Sequence, residues 1–114
     1  MVDEGGRTRV ATVGLADGPW TRLRGLIGRP LPEPGEGLWL TRCASVHTVG
    51  MRGPIDVVFI GRGGEVLDIA ERLAPFRFAA ARRARATLEL AAGESRRVDI
   101  TPGTRLAWTD DPID

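Results

Sequence analysis

Between Ile55 and Ala70 the chain reads Ile-Asp-Val-Val-Phe-Ile, then Gly-Arg-Gly-Gly, then Glu-Val-Leu-Asp-Ile-Ala. Two runs rich in β-branched and aromatic residues, joined by four turn-forming residues, predict an antiparallel hairpin. On the first run Ile55, Val57 and Phe59 alternate with Asp56, Val58 and Ile60, so both faces carry apolar side chains. A strand of that kind is buried on both sides. The hairpin is therefore expected to lie inside the fold, and it takes Asp56 out of water with it. A buried carboxylate left charged and alone is costly, so a guanidinium from Arg52, Arg22 or Arg24, or a set of backbone N–H groups, is expected beside it. In its structural role Asp56 would pin the loop Met51 to Pro54.

The flanking chain predicts further short strands. Arg7 to Val13 alternates polar and apolar residues, the period of a strand with one wet face. Asp17 followed by Gly18 and Pro19 suits a helix start, and Trp20, Leu23, Leu26 and Ile27 recur at helical spacing, predicting a short helix over 19–27 ended by Gly28. Arg29 to Gly37 holds three prolines and two glycines, a surface loop. Leu38 to Val49 reads as one extended run broken by Gly50, Gly53 and Pro54. Ala74 to Arg85 reads as irregular, Thr87 to Leu90 as a strand, and Ala91 to Arg97 as a turn of helix. Pro102-Gly103 is a tight turn between Val98–Ile100 and Leu106–Trp108, and the acidic end Asp110 to Asp114 is expected to fray. No βαβ alternation or repeat is visible. The expected architecture is mainly β (α+β): a small antiparallel β-sandwich or partly open barrel with one short helix near residues 19–27. A single domain of 1–114 with an ordered core of about 7–108 fits the length.

Three stretches together carry a family resemblance. They are Arg24-Gly25-Leu26-Ile27-Gly28-Arg29; His47-Thr48-Val49-Gly50-Met51-Arg52-Gly53-Pro54-Ile55-Asp56-Val57-Val58-Phe59; and Leu88-Glu89-Leu90 followed by Gly93, with Pro102-Gly103 beyond. From about Arg7 to Trp108 the chain resembles the prokaryotic family catalogued as domain of unknown function 192. The middle stretch is the specific part. The resemblance implies a small β-rich, sandwich-like domain and assigns no activity. Many members carry an aromatic residue before the methionine and a lysine after it, where this chain has Gly50 and Arg52, so a ligand pocket shared with them would be altered here.

Composition narrows the chemistry. Cys43 is the lone cysteine, so the chain forms no internal disulfide and no multi-cysteine zinc site. All 16 basic residues are arginine, the imprint of a GC-biased coding sequence, and against 15 acidic residues they leave a net charge of +1. That balance supplies no field for non-specific nucleic-acid binding. No apolar stretch is long enough to cross a bilayer, and Met1 to Arg9 has no signal-like apolar segment, so no membrane association and a cytoplasmic location are expected.

Several constellations invite a chemical reading. Cys43, His47 and Met51 are spaced by four, which places them on one face of an extended strand with donors that copper(I) accepts. Gly50 interrupts such a strand and one histidine is too few for a blue-copper site, so no metal is expected. A Cys43–His47 nucleophile pair would lie ~13 Å apart on one strand, beyond direct contact. Gly61 to Gly64 lies inside a hairpin and cannot offer a helix N-terminus to phosphate. Arg77, Arg82, Arg83 and Arg85, joined in space by Arg96 and Arg97, would form the best local basic patch; interleaved with Phe76 and Phe78 it could hold a phosphorylated ligand or single-stranded nucleic acid, but a solvated run is expected first.

The leading expectation is a non-enzymatic ligand-binding or accessory module with a cleft near the 47–56 loop, lined by Arg22, Arg24, His47, Met51, Arg52 and Asp56, taking a small molecule or a protein and no cofactor. The alternative is a small hydrolase or transferase using Asp56 and His47 as acid and base.

Overall fold

The computed structural model describes residues 12–16, 31–48 and 51–107. The central hairpin forms as its alternation demands. Seven strands are described: β1 (Thr12–Ala16), β2 (Glu36–Thr41), β3 (Ser45–His47), β4 (Ile55–Ile60), β5 (Val66–Leu73), β6 (Phe78–Ala80) and β7 (Ala86–Ala91), followed by one helical turn, α1 (Glu94–Arg97). A five-stranded sheet has the order β1-β2-β7-β4-β5, and β3 and β6 form a two-stranded sheet. The fold is mainly β and mostly antiparallel, and it is not a closed barrel. The exception is the edge pair β1 and β2, which runs parallel.

Every residue of β4 is buried, and its two faces serve two cores. Ile55, Val57 and Phe59 join Leu38, Leu40, Val46, Met51 and Ala84 on the face partly covered by the small sheet. Val58 and Ile60 join Leu88, Leu90, Val66, Ile100 and Leu106 on the other. The second face is covered by the chain after α1. There Leu106 N–H donates to Gly64 C=O at 2.9 Å and Val66 N–H to Thr104 C=O at 2.7 Å, so the 103–106 segment is stitched to the hairpin turn.

Several expectations are corrected. The first described strand spans Thr12–Ala16, past the end of the expected 7–13 run, and residues 7–11 lie outside the described residues. The helix expected over 19–27 also lies outside them. The 38–49 run is two strands in different sheets, separated where Arg42 takes a φ of 55°. Glu36 and Gly37, assigned to the loop, begin β2, because their backbone is drawn into pairing with β1 and β7. The segment 74–85 is not wholly irregular: β6 pairs there with β3, His47 opposite Phe78. Pro102-Gly103 is a turn, but 98–100 and the described residues 106–107 form no strand; Arg105 instead makes an isolated bridge with Glu65.

Candidate functional site

Asp56 is fully buried, as its strand requires. Its partners are backbone N–H groups and a hydroxyl, not a guanidinium. Oδ1 accepts from Arg72 N–H at 2.8 Å and Gly93 N–H at 3.0 Å; Oδ2 accepts from Ser95 N–H at 2.9 Å and the Ser95 hydroxyl at 2.6 Å. The local backbone is bent to provide them. Pairing between β4 and β5 shifts register between Ile55 and Val57, and Arg72, in that bulge with a φ of 50°, turns its N–H to the carboxylate. Gly93 stands at φ 84°, a left-handed conformation that glycine adopts without penalty, and leads into α1. Asp56 thus ties β5 to the start of α1, and not the 51–54 loop as expected. Burial pushes its pKa up, but the Ser95 hydroxyl and the N–H groups of Arg72, Gly93 and Ser95 outweigh that and hold it below the ordinary value. A carboxylate so enclosed and so stabilised as an anion is unsuited to exchanging protons with a substrate.

The other predicted residues separate. Met51 is a core residue and Arg52 is exposed. Cys43 is half-buried in the break between β2 and β3, its thiol donating to Ser45 C=O at 2.9 Å, while His47 is exposed on β3. Cys43 packs against the core that holds Met51 while His47 is exposed, and no group of three or more histidine, cysteine, aspartate or glutamate side chains able to hold a metal ion occurs among the described residues. Arg22 and Arg24 lie outside the described residues. None of the described clefts is lined by His47, Met51, Arg52 or Asp56. Arg96 and Arg97 do not join Arg77 to Arg85 in one patch; they pair with Glu71 and Glu94.

What the structure does gather around His47 is an aromatic corner. Thr48 is fully buried and is its anchor: the hydroxyl accepts from Arg77 N–H at 2.8 Å and donates to Ala74 C=O at 2.6 Å. Thr48 C=O accepts from Phe76 N–H and Met51 N–H, both at 3.2 Å, so Met51 and the 74–77 loop hang on one residue. Held this way, Phe76 adopts a φ of 61°, strained for a bulky side chain. Phe76 is 69% exposed and Phe78 70%. The segments 45–54 and 74–80 contain Arg52 and Arg77 but no acidic residue. The sequence offers Phe76 and Phe78 only as aromatics interleaved with the arginine group, and no period in these three residues places them beside His47. The signal present was two phenylalanines in a segment with no amphipathic pattern.

Glu89 was also passed over. It sits on β7 opposite Leu38 and Val57, 3% exposed, and among the described residues its Oε2 has no hydrogen-bond partner. Burial pushes its pKa up to about 7. Alternation does not reveal it, since Thr87 and Glu89 share one face of the strand and Leu88 and Leu90 the other, the pattern of a strand with one wet face.

Comparison with known proteins places these features in a shared fold. The model of the domain of unknown function 192, described as Uncharacterized ACR, COG1430, matches residues 1–108. A protein of unknown function from Novosphingobium aromaticivorans DSM 12444 is 26% identical with a TM-score of 0.78, over 84% of this chain and 74% of that one. A protein from Sinorhizobium meliloti 1021, described as a candidate transcription regulator, is 29% identical with a TM-score of 0.79, over 91% of this chain and 86% of that one. No curated protein matches the chain.

Proposed function

Because the chain belongs to the domain of unknown function 192 family, whose description carries no activity, we propose from its own geometry that it is a non-catalytic binding module acting through the His47, Phe76 and Phe78 corner. The observation that carries this is the pair of phenylalanines exposed at 69% and 70%, one held in left-handed backbone by a buried threonine. Exposed large apolar side chains on a rigid support are where partners dock, and strain at such a residue persists only when its surroundings impose it. The occupant that fits is an extended peptide segment of a partner protein, apolar at its centre and acidic at its flanks. Within the described residues, β3 and β6 each pair on one side only, so each offers a free edge to an added strand. Phe78 and Phe76 would receive the apolar side chains, and Arg52, Arg77 and His47 the acidic ones.

Acid–base chemistry by Asp56 and His47 is not supported, since the carboxylate has no exposed oxygen and the imidazole stands on the small sheet. The S. meliloti protein's candidate role in transcription fits an accessory, partner-binding part as well as any other. A cytoplasmic location belongs to the same proposal; no helix among the described residues is long and apolar enough to cross a membrane.

The test is selection of a displayed random peptide library against the protein and against the double variant Phe76→Ser, Phe78→Ser. Peptides combining apolar and acidic residues should be enriched by the first and lost with the second, at unchanged thermal stability. No enrichment, or peptides that bind both proteins alike, would overturn the proposal.

A further inference from the structure

A second site, built from residues other than those of the aromatic corner, is formed by the segment that follows β6 and the β4–β5 turn. Arg62, Arg82, Arg83 and Arg85 line one cleft of about 940 Å³, with Leu67, Ala84 and Glu65. The backbone fixes their arrangement. Arg62 is in the β4–β5 turn, Arg82 and Arg83 are in the turn closed by Ala84 N–H on Ala81 C=O at 3.0 Å, and Arg85 N–H donates to Ile60 C=O at 2.7 Å, holding the two turns together. All four side chains are exposed, and among the described residues none is paired with a carboxylate. The one acidic residue is committed elsewhere: Glu65 Oε2 accepts from Gly63 N–H at 3.0 Å within its own turn. An adjoining cleft of about 560 Å³ shares Arg62, Ala84 and Arg85 and adds Arg42. Arg96 and Arg97, by contrast, are matched by Glu71 and Glu94.

We propose that this cleft binds a compact, multiply charged phosphate-bearing small molecule. Guanidinium groups fork onto phosphate oxygens, and several on one concave surface repel each other until an anion joins them. The cleft has the volume of a small-molecule site. It presents no aromatic side chain on which bases could stack, and a net charge of +1 supplies no extended field, so a nucleic-acid strand is disfavoured as its occupant.

Isothermal titration of the full chain with inorganic pyrophosphate at low salt is the direct test, with inorganic phosphate and a single-stranded oligothymidylate as further arms. Pyrophosphate should bind saturably at one site and more tightly than phosphate, and the double variant Arg82→Gln, Arg83→Gln should weaken it about tenfold or more without lowering the melting temperature. Arg96→Gln, and the Phe76→Ser, Phe78→Ser variant, should leave its affinity unchanged, which separates this site from the aromatic corner. The absence of saturable binding, equal affinity in the Arg82, Arg83 variant, or tighter binding of the oligonucleotide than of pyrophosphate would each overturn the proposal.

Discussion

Two buried carboxylates on neighbouring central strands are handled in opposite ways, and their effects on stability have opposite signs. Glu89 has its pKa raised by burial from 4.5 to about 7. Between those values the folded chain holds a proton that the unfolded chain releases, so stability falls as pH rises; the penalty is absent below 4.5, complete above about 7, and on the order of 3 kcal/mol in total. Glu89→Gln removes the ionisation. Urea unfolding should find this variant about 2 kcal/mol or more stabilised relative to the natural chain at pH 8, with that advantage shrinking towards pH 5. A pH-independent difference would refute the assignment. Asp56, held below 3.8, contributes stability that is present above that value and lost as pH falls through its folded pKa. Replacing it with Asn places an amide N–H₂ against N–H donors and should cost about 3 kcal/mol. Arg52→Ala should stay within about 0.5 kcal/mol, because Arg52 is exposed and is not the carboxylate's partner. A large loss from Arg52→Ala in the same urea assay would restore the guanidinium pairing.

Turns and bulges decide how the elements meet, and here legibility in the sequence was uneven. The hairpin 55–70 was readable because alternation over two runs and a glycine-rich turn agree. β6 was not, since its three residues depend on pairing with β3 and on the Thr48 anchor, a contact with no trace in local periodicity. Nor was the break at Arg42, where a non-glycine residue takes left-handed backbone. The need for partners around Asp56 was legible from both-sided burial, while their identity was not, because Arg72, Gly93 and Ser95 are far from it in sequence and donate mostly through backbone. The candidate corner was half visible: His47, Thr48 and Arg52 were in the motif, and the phenylalanines came from another segment. Phe76→Gly relieves the strain of its φ of 61° and should stabilise the domain by about 1 kcal/mol while removing an anchor from the docking surface. Thermal melts and the peptide assay should therefore move in opposite directions. If Phe76→Gly lowers the melting temperature, the loop is held by the phenyl ring and not by Thr48.

At the scale of the whole molecule, one sheet serves two cores, and each must be closed by chain that returns from elsewhere. The face of Leu38, Val57 and Phe59 is covered in part by the small sheet; the face of Val58, Leu88 and Leu90 is covered by Ile100 and Leu106. The second cover is irregular backbone, joined by three backbone hydrogen bonds between Gly64 or Val66 and residues 103–106, with Gly64 at φ 89° and a would-be Cβ only 2.4 Å from Leu106 C=O. A side chain at 64 would push that cover off. Gly64→Ala should therefore cost about 2 kcal/mol or more, through backbone strain and the displaced segment together. Ile100→Ala, which leaves the backbone alone, should cost about 2 to 5 kcal/mol by opening a cavity over β4 and β7. Ending the chain at Arg97 removes the cover altogether, exposing the apolar side chains of two central strands, and should abolish cooperative unfolding. Circular dichroism melts of the three proteins rank these effects. A chain ending at Arg97 that still melts cooperatively near the full-length temperature would show that the face of Val58 and Leu88 does not depend on the C-terminal segment, and that one core alone sustains the fold.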